Sequence, residues 1–96
     1  MKLELKTPVM DFDGKEIGPH STAGKMLANW LANIPAKNSG LDSLKAIEMA
    51  QALHKSGELE ADESDLERLK AFIEQDSLGS PIAKAHVIRV INQALR

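Results

Sequence analysis

The apolar residues of this chain recur with helical spacing in four stretches, and the last stretch is the most hydrophobic. Between Ser80 and Arg96 they cover well over half of a helix circumference, so a helix there must be covered on more than one side. Ser80 is a good N-cap, and Pro81 suits the first helical position because its missing N–H costs nothing there. The pattern predicts a helix over 80–95.

The two sides of this last helix are predicted to differ in exposure. Ile88 and Ile91 are expected at the centre of the core, whereas Val87 or Val90 faces either another part of the chain or a second copy. A polar edge carries His86, Arg89, Gln93 and Arg96. The simpler interpretation is that this edge is only the solvent-exposed side of the helix. The more specific interpretation is that it is a weakly basic strip that contacts a partner. The predicted interaction surface therefore consists of Val87, Val90, His86, Arg89, Gln93 and Arg96.

Two helices are predicted upstream of the middle of the chain. The first, 21–34, begins at Ser21 or Thr22 as cap, and its buried stripe has spacings of three and four. This stripe consists of Ala23, Met26, Leu27, Trp30, Leu31 and Ile34. The second, 41–55, ends at Ser56-Gly57. Its predicted buried face consists of Leu44, Ile47, Ala50 and Leu53, with Met49 beside them.

A third helix is predicted over 64–75. The segment from Ser64 to Glu67 matches a capping box, and the acidic residues around it favour the positive end of the helix dipole. The expected buried face consists of Leu66, Leu69, Phe72 and Ile73.

The segment 1–19 is predicted to be extended. Strict alternation from Lys2 to Lys6 places Leu3 and Leu5 on one face of a half-buried strand. Asp13-Gly14 suits a type I′ turn, so a short hairpin is expected around it. The segment 58–61 also alternates, and we hypothesise a third, very short strand there that pairs with the Leu3/Leu5 segment or with the hairpin. The predicted fold class is α+β, mostly α: a short N-terminal β-hairpin packed on four helices in one domain, 1–96.

Composition and charge narrow the function classes. The net charge is −2 and no Lys/Arg cluster is present, so a nucleic-acid partner is not favoured. The absence of cysteine excludes disulfides, thiolate zinc sites and cysteine nucleophiles. The segment from Met1 to Lys6 lacks the apolar core of a signal peptide, and no apolar run approaches the length of a membrane span, so neither is expected. We therefore expect a cytoplasmic protein without membrane contact.

Candidate catalytic and metal-binding motifs fail on spacing. An EF-hand anchored on Gly14 places Val9 and His20 where ligands are required, so a hairpin turn is the better interpretation of Asp13-Gly14. The three histidines lack partners at one-turn spacing, and the acidic run 58–67 is best explained by helix capping and solvation. Trp30 and the methionines Met10, Met26 and Met49 are expected to fill the core. The chain is predicted to be no enzyme and to use no metal, cofactor or small-molecule substrate.

Several segments resemble small, uncharacterised proteins encoded by bacteriophages and prophages. The similar segments are 2–9 with Asp13-Gly14, 22–31, 52–60 and 65–73. Because such proteins lie among virion morphogenesis or accessory genes, the resemblance implies a binding role in assembly or host interaction, in the cytoplasm of a bacterial cell.

The leading functional hypothesis is a non-enzymatic assembly or accessory factor that contacts protein through a helical surface. The broad apolar face of the last helix favours a homodimer or a protein partner. The alternative is a small DNA-associated regulatory protein. Helices 64–75 and 80–95 have the order of a helix-turn-helix, but the second is too apolar for a reading helix.

Overall fold

Two short strands and four helices make up residues 1–16, 22–34, 40–75 and 81–96, which a computed structural model of the protein describes. In chain order these elements are β1 Lys2–Glu4, α1 Ala23–Asn33, α2 Ser43–Ser56, β2 Glu58–Glu60, α3 Glu63–Ile73 and α4 Pro81–Leu95. The predicted fold class, α+β and mostly α, is confirmed. The predicted caps Ser21 and Ser80 lie outside the described residues. No helix within these ranges is long and apolar enough to cross a membrane.

The first strand, β1, pairs with β2, the short strand near 58–61 that the alternating sequence suggested. β1 and β2 run antiparallel with Leu3 opposite Leu59, and the Leu5 N–H donates to the Gly57 carbonyl at 2.7 Å. Leu3, Leu5 and Leu59 are all buried, as strict alternation requires when one face of a strand covers a core. The hypothesis of a strand near 58–61 is confirmed, and it pairs with the Leu3/Leu5 segment.

The predicted hairpin around Asp13-Gly14 is shorter than expected and has a different turn. Among the described residues it consists of one antiparallel bridge, between Met10 and Glu16. The Gly14 N–H donates to the Asp11 carbonyl at 3.1 Å, so Phe12 and Asp13 are the central residues and Gly14 follows them with φ 81°. The Asp11 carboxylate accepts the N–H groups of Asp13 and Lys15, both at 2.9 Å, and thereby selects this turn over type I′.

Side-chain oxygens cap three of the helices. Thr22 caps α1 by accepting the Lys25 N–H at 3.1 Å, as predicted. Asp42 caps α2, and Gly57 ends it in the left-handed region with φ 73°. The cap of α3 is Asp62, which accepts the Asp65 N–H at 2.8 Å. The predicted Ser64 capping box is therefore wrong, because a carboxylate two residues earlier already occupies the cap position.

The core joins one face of each element. The predicted stripes of α1 and α3 are confirmed, with Ile34 only partly buried. Three predictions are wrong. Met10 is exposed, Ile88 is half-buried, and α2 buries a face one step round from the predicted one. That face consists of Ala46, Met49, Ala50 and Leu53. Ile91 is fully buried, as predicted, and Val87 faces the core of its own chain.

Candidate interaction groove

Two large apolar side chains of α2 remain in solvent. Leu44 is 70% exposed and Ile47 is 39% exposed, although both were predicted to be buried. Leu44, Ile47, Gln51 and His54 follow one another at spacings of three, four and three, which places them on one face of the helix. This face lies beside the buried one, so α2 presents a second, partly apolar side.

A groove runs between this side of α2 and α1. It consists of two adjoining cavities of about 490 Å³ and about 340 Å³, and Ala32, Asn33 and Ile47 line both. The small side chains of alanines from both helices lie along it: Ala28, Ala32, Ala46 and Ala50. Because alanine fills little volume, these positions leave a depression between the two helices that a larger side chain can enter.

Polar side chains line the larger cavity on both sides. On α1, Lys25, Asn29 and Asn33 are four residues apart, and the Asn33 amide donates to the Asn29 carbonyl at 2.9 Å and to its side-chain oxygen at 3.0 Å. On α2, Gln51 and His54 line the same cavity. We call the two cavities with these side chains the α1–α2 groove.

The α1–α2 groove has a basic end and an apolar end. A β-carbon on Gly24 would lie 3.1 Å from the Cα of Gly57, so the start of α1 meets the end of α2. Lys25 and His54 are therefore at the same end, in the larger cavity. No Asp or Glu occurs among the described residues that line either cavity. The groove thus favours an apolar group accompanied by negative charge.

The predicted surface on α4 is divided by the structure. Val87 is fully buried and cannot contribute to a surface, because its position on α4 faces the core. Val90 and His86 are half-buried, whereas Arg89, Gln93 and Arg96 are exposed. Val90 and Gln93 line a shallow cavity of about 410 Å³ between α4 and β1. Burial, and then the neighbouring Arg89 charge, lower the pKa of His86.

Intramolecular contacts explain much of the acidic run 58–67. The Glu58 carboxylate lies 2.6 Å from Lys6 Nζ, and this hydrogen bond is the main cause that lowers the Glu58 pKa. Asp62 is a helix cap, and Asp65 lies 3.2 Å from Lys45 Nζ. Asp62 therefore acts in capping as predicted, whereas Glu58 and Asp65 are held in ion pairs within the chain and are not simply solvated.

No cluster of three potential metal-binding side chains occurs in the described ranges. Comparison of the chain with known protein families, curated proteins and solved structures finds no match.

The sequence prediction missed Lys25, Asn29, Asn33, Gln51 and His54 as residues of a common site. The signal that would have found the α2 side is that two apolar stripes fit this helix. One stripe contains Ala46, Met49, Ala50 and Leu53, and the other contains Leu44 and Ile47. Periodicity alone does not decide which stripe faces the core.

Proposed function

We propose that this chain is a non-enzymatic, phage- or prophage-derived protein that acts through protein–protein contact, as an assembly or accessory factor. The α1–α2 groove is its contact surface. The observation that carries the proposal is the exposure of Leu44 and Ile47 beside an alanine-lined groove.

The composition of the groove supports a protein partner. Apolar side chains surrounded by polar ones are typical of grooves that take an amphipathic helix or a protruding side chain. Covering Leu44 would favour binding by up to about 1.5–3 kcal/mol, and covering Ile47, which is already partly buried, would add less. A partner gains this energy without any change in the core, because neither side chain supports the fold from within.

The resemblance to phage and prophage proteins supports an action inside a bacterial cell. Neighbouring genes provide a direct observation of this part of the proposal. A position among head or tail genes supports an assembly role, whereas a position beside a repressor gene contradicts it.

Site-specific photocrosslinking in bacterial cells tests the contact surface. A photoreactive amino acid replaces Ile47 in the groove, and a matched variant carries it at Glu67, which is exposed on α3. We expect discrete crosslinked products from position 47 and none at the same mass from position 67. Equal products from both positions, or none from position 47, would contradict the proposed surface.

A second function, DNA association, is favoured by the exposed side of α4. Arg89, Asn92, Gln93 and Arg96 are exposed there, and 81–96 contains no acidic residue. Arg, Asn and Gln are the side chains that most often read base edges. The exposed Glu63, Glu67 and Glu74 of the preceding helix oppose this function, because they repel phosphate.

A gel-shift titration with double-stranded DNA distinguishes the two functions. DNA association requires a shift that weakens steeply with salt, and loss of that shift when Arg89 and Arg96 are both replaced by Gln. An unshifted probe at low salt removes DNA association and leaves the protein-contact function in place.

A further inference from the structure

We propose that a second copy of this chain occupies the α1–α2 groove by inserting Phe12. This inference rests on the proposed function, because it names the partner of the same groove. The contact is head-to-tail: the turn around Phe12 on one copy binds the groove of the next.

Phe12 is presented by an ordered turn and has almost no contact with its own chain. Its side chain is 94% exposed, and it lies at the centre of the turn that Asp11 closes. Four hydrogen bonds hold this turn: the Asp11 carboxylate accepts two N–H groups, its carbonyl accepts the Gly14 N–H, and its own N–H donates to the Lys15 carbonyl at 2.8 Å. Because the backbone of the turn is already held, binding orders only the two side-chain torsions of Phe12, so this residue is well suited as an anchor.

The groove has room for the ring. A cavity of about 150 Å³ accommodates a benzene molecule, and the larger cavity of the groove measures about 490 Å³. Alanines and Ile47 line it, so the ring would contact apolar atoms. The exposure of Phe12 also shows that its own groove does not hold it.

The charges of the two surfaces are complementary. The turn segment 10–16 carries Asp11, Asp13 and Glu16 against one cation, Lys15. The groove carries the positive charge of Lys25, and its described lining has no carboxylate. Insertion of Phe12 would therefore bring the acidic turn to the basic end of the groove, where the opposite charges favour this orientation.

The arrangement has a consequence for assembly. Turn and groove are different surfaces, so the contact is heterologous, and each bound copy retains one free turn and one free groove. Growth therefore continues to a ring or an open chain. A symmetric dimer would use one surface twice and would stop at two copies.

Sedimentation velocity of the full chain and two variants tests this inference. Phe12→Ser removes the anchor, and Ala32→Glu places a carboxylate in the groove at an exposed position that tolerates it. We expect the native chain to form higher oligomers as concentration rises, and each variant alone to associate at least about tenfold more weakly. An equal mixture of the two variants should form a dimer and nothing larger, since only one intact turn and one intact groove remain per pair.

Two matched substitutions control for nonspecific effects. Lys15→Arg changes the same turn without altering its charge or removing apolar surface, and Ala71→Glu adds the same charge at an exposed position of α3. Both should associate like the native chain, and circular dichroism should give all variants the native helix content. A native chain that stays monomeric, a variant that associates like it, or a mixture that stays monomeric would each overturn the inference.

Crosslinking from position 47 separates failure of this inference from failure of the proposed function. If the native chain is monomeric and position 47 still captures one specific foreign protein, the second copy is wrong and the groove remains a contact surface. If position 47 captures nothing, both proposals fail.

Discussion

Gly24 donates its backbone N–H to the carbonyl oxygen of Leu5 at 2.8 Å, and a β-carbon on Gly24 would lie 2.8 Å from that same oxygen. The start of α1 is therefore pressed against the chain that follows β1. Gly57 is part of the same junction, because its Cα would lie 3.1 Å from that β-carbon. Glycine is required at position 24 by close backbone approach, whereas Gly57 has a positive φ.

Replacement of Gly24 by Ala is expected to destabilise the protein by about 1–3 kcal/mol, the usual cost of overpacking. Helix propensity alone predicts the opposite sign, a gain of about 1 kcal/mol. Urea denaturation measures the difference. Lys25→Ala, at the next and exposed position of α1, is the control and should change the free energy of unfolding little. A Gly24→Ala variant as stable as the native protein would show that the junction can open without cost.

Asp65 connects α2 to α3 through Lys45, whose Nζ lies 3.2 Å from its carboxylate. Asp65 is buried, and its hydrogen bond raises the pKa of Lys45. We expect Asp65→Asn to lower the melting temperature, by less than Gly24→Ala because Lys45 is solvent-accessible and the pair is screened. A double-mutant cycle with Lys45→Met isolates the pair. Glu67→Gln, at an exposed position of the same helix, should leave the melting temperature unchanged.

The sequence predicts α1 and α3 well because each has one dense apolar stripe. In α1 the apolar residues from Ala23 to Leu31 form a single face, so only one orientation of the helix buries them. A short strand near 58–61 was also predictable, and since a strand of that length needs a partner, the sequence left the Leu3/Leu5 segment and the hairpin as candidates. The structure selects the Leu3/Leu5 segment. Local pattern and tertiary packing agree in these elements.

The candidate site was not predictable because it depends on a choice that only packing makes. In α2 the smaller Ala46 and Ala50 are buried, whereas Leu44 and Ile47 are exposed. Residue hydrophobicity alone favours burial of Leu44 and Ile47. Met49 and Leu53 lie on the same face as the two alanines and are both buried, so the core gains two large side chains when this face is turned inward. The turn at Phe12 was missed because the Asp11 carboxylate, through two hydrogen bonds, favours Phe12 and Asp13 as its central residues, while Gly14 supplies the positive φ that follows them.

The orientation of α4 gives a third prediction. Val87 is fully buried and Ile88 is half-buried, so a carboxylate is more costly at position 87. An unpaired buried carboxylate costs several kcal/mol against a total stability of about 5–15 kcal/mol, so Val87→Asp is expected to unfold the domain. Ile88→Asp should remain folded with a lower melting temperature. Circular dichroism distinguishes the two, and an equal loss in both variants would contradict this orientation.

His86 makes the stability of the domain depend on pH. Burial first, and the charge of Arg89 second, lower its pKa in the folded state below the ordinary value near 6.5. The unfolded chain therefore binds a proton at a higher pH than the folded chain does. The contribution of neutral His86 to stability is complete above about pH 6.5 and is lost as the pH falls from there through the folded-state pKa.

Urea denaturation between about pH 7.5 and pH 5, a range that spans the ordinary histidine pKa, measures this loss. We expect His86→Gln to lose less stability than the native protein over the range, because glutamine does not titrate. Arg89→Gln should lie between the two, since it removes the smaller cause of the pKa shift and leaves burial in place. The NMR titration of the His86 ring gives the folded-state pKa directly. A folded-state pKa of His86 at or above 6.5 would contradict the partial burial of this side chain.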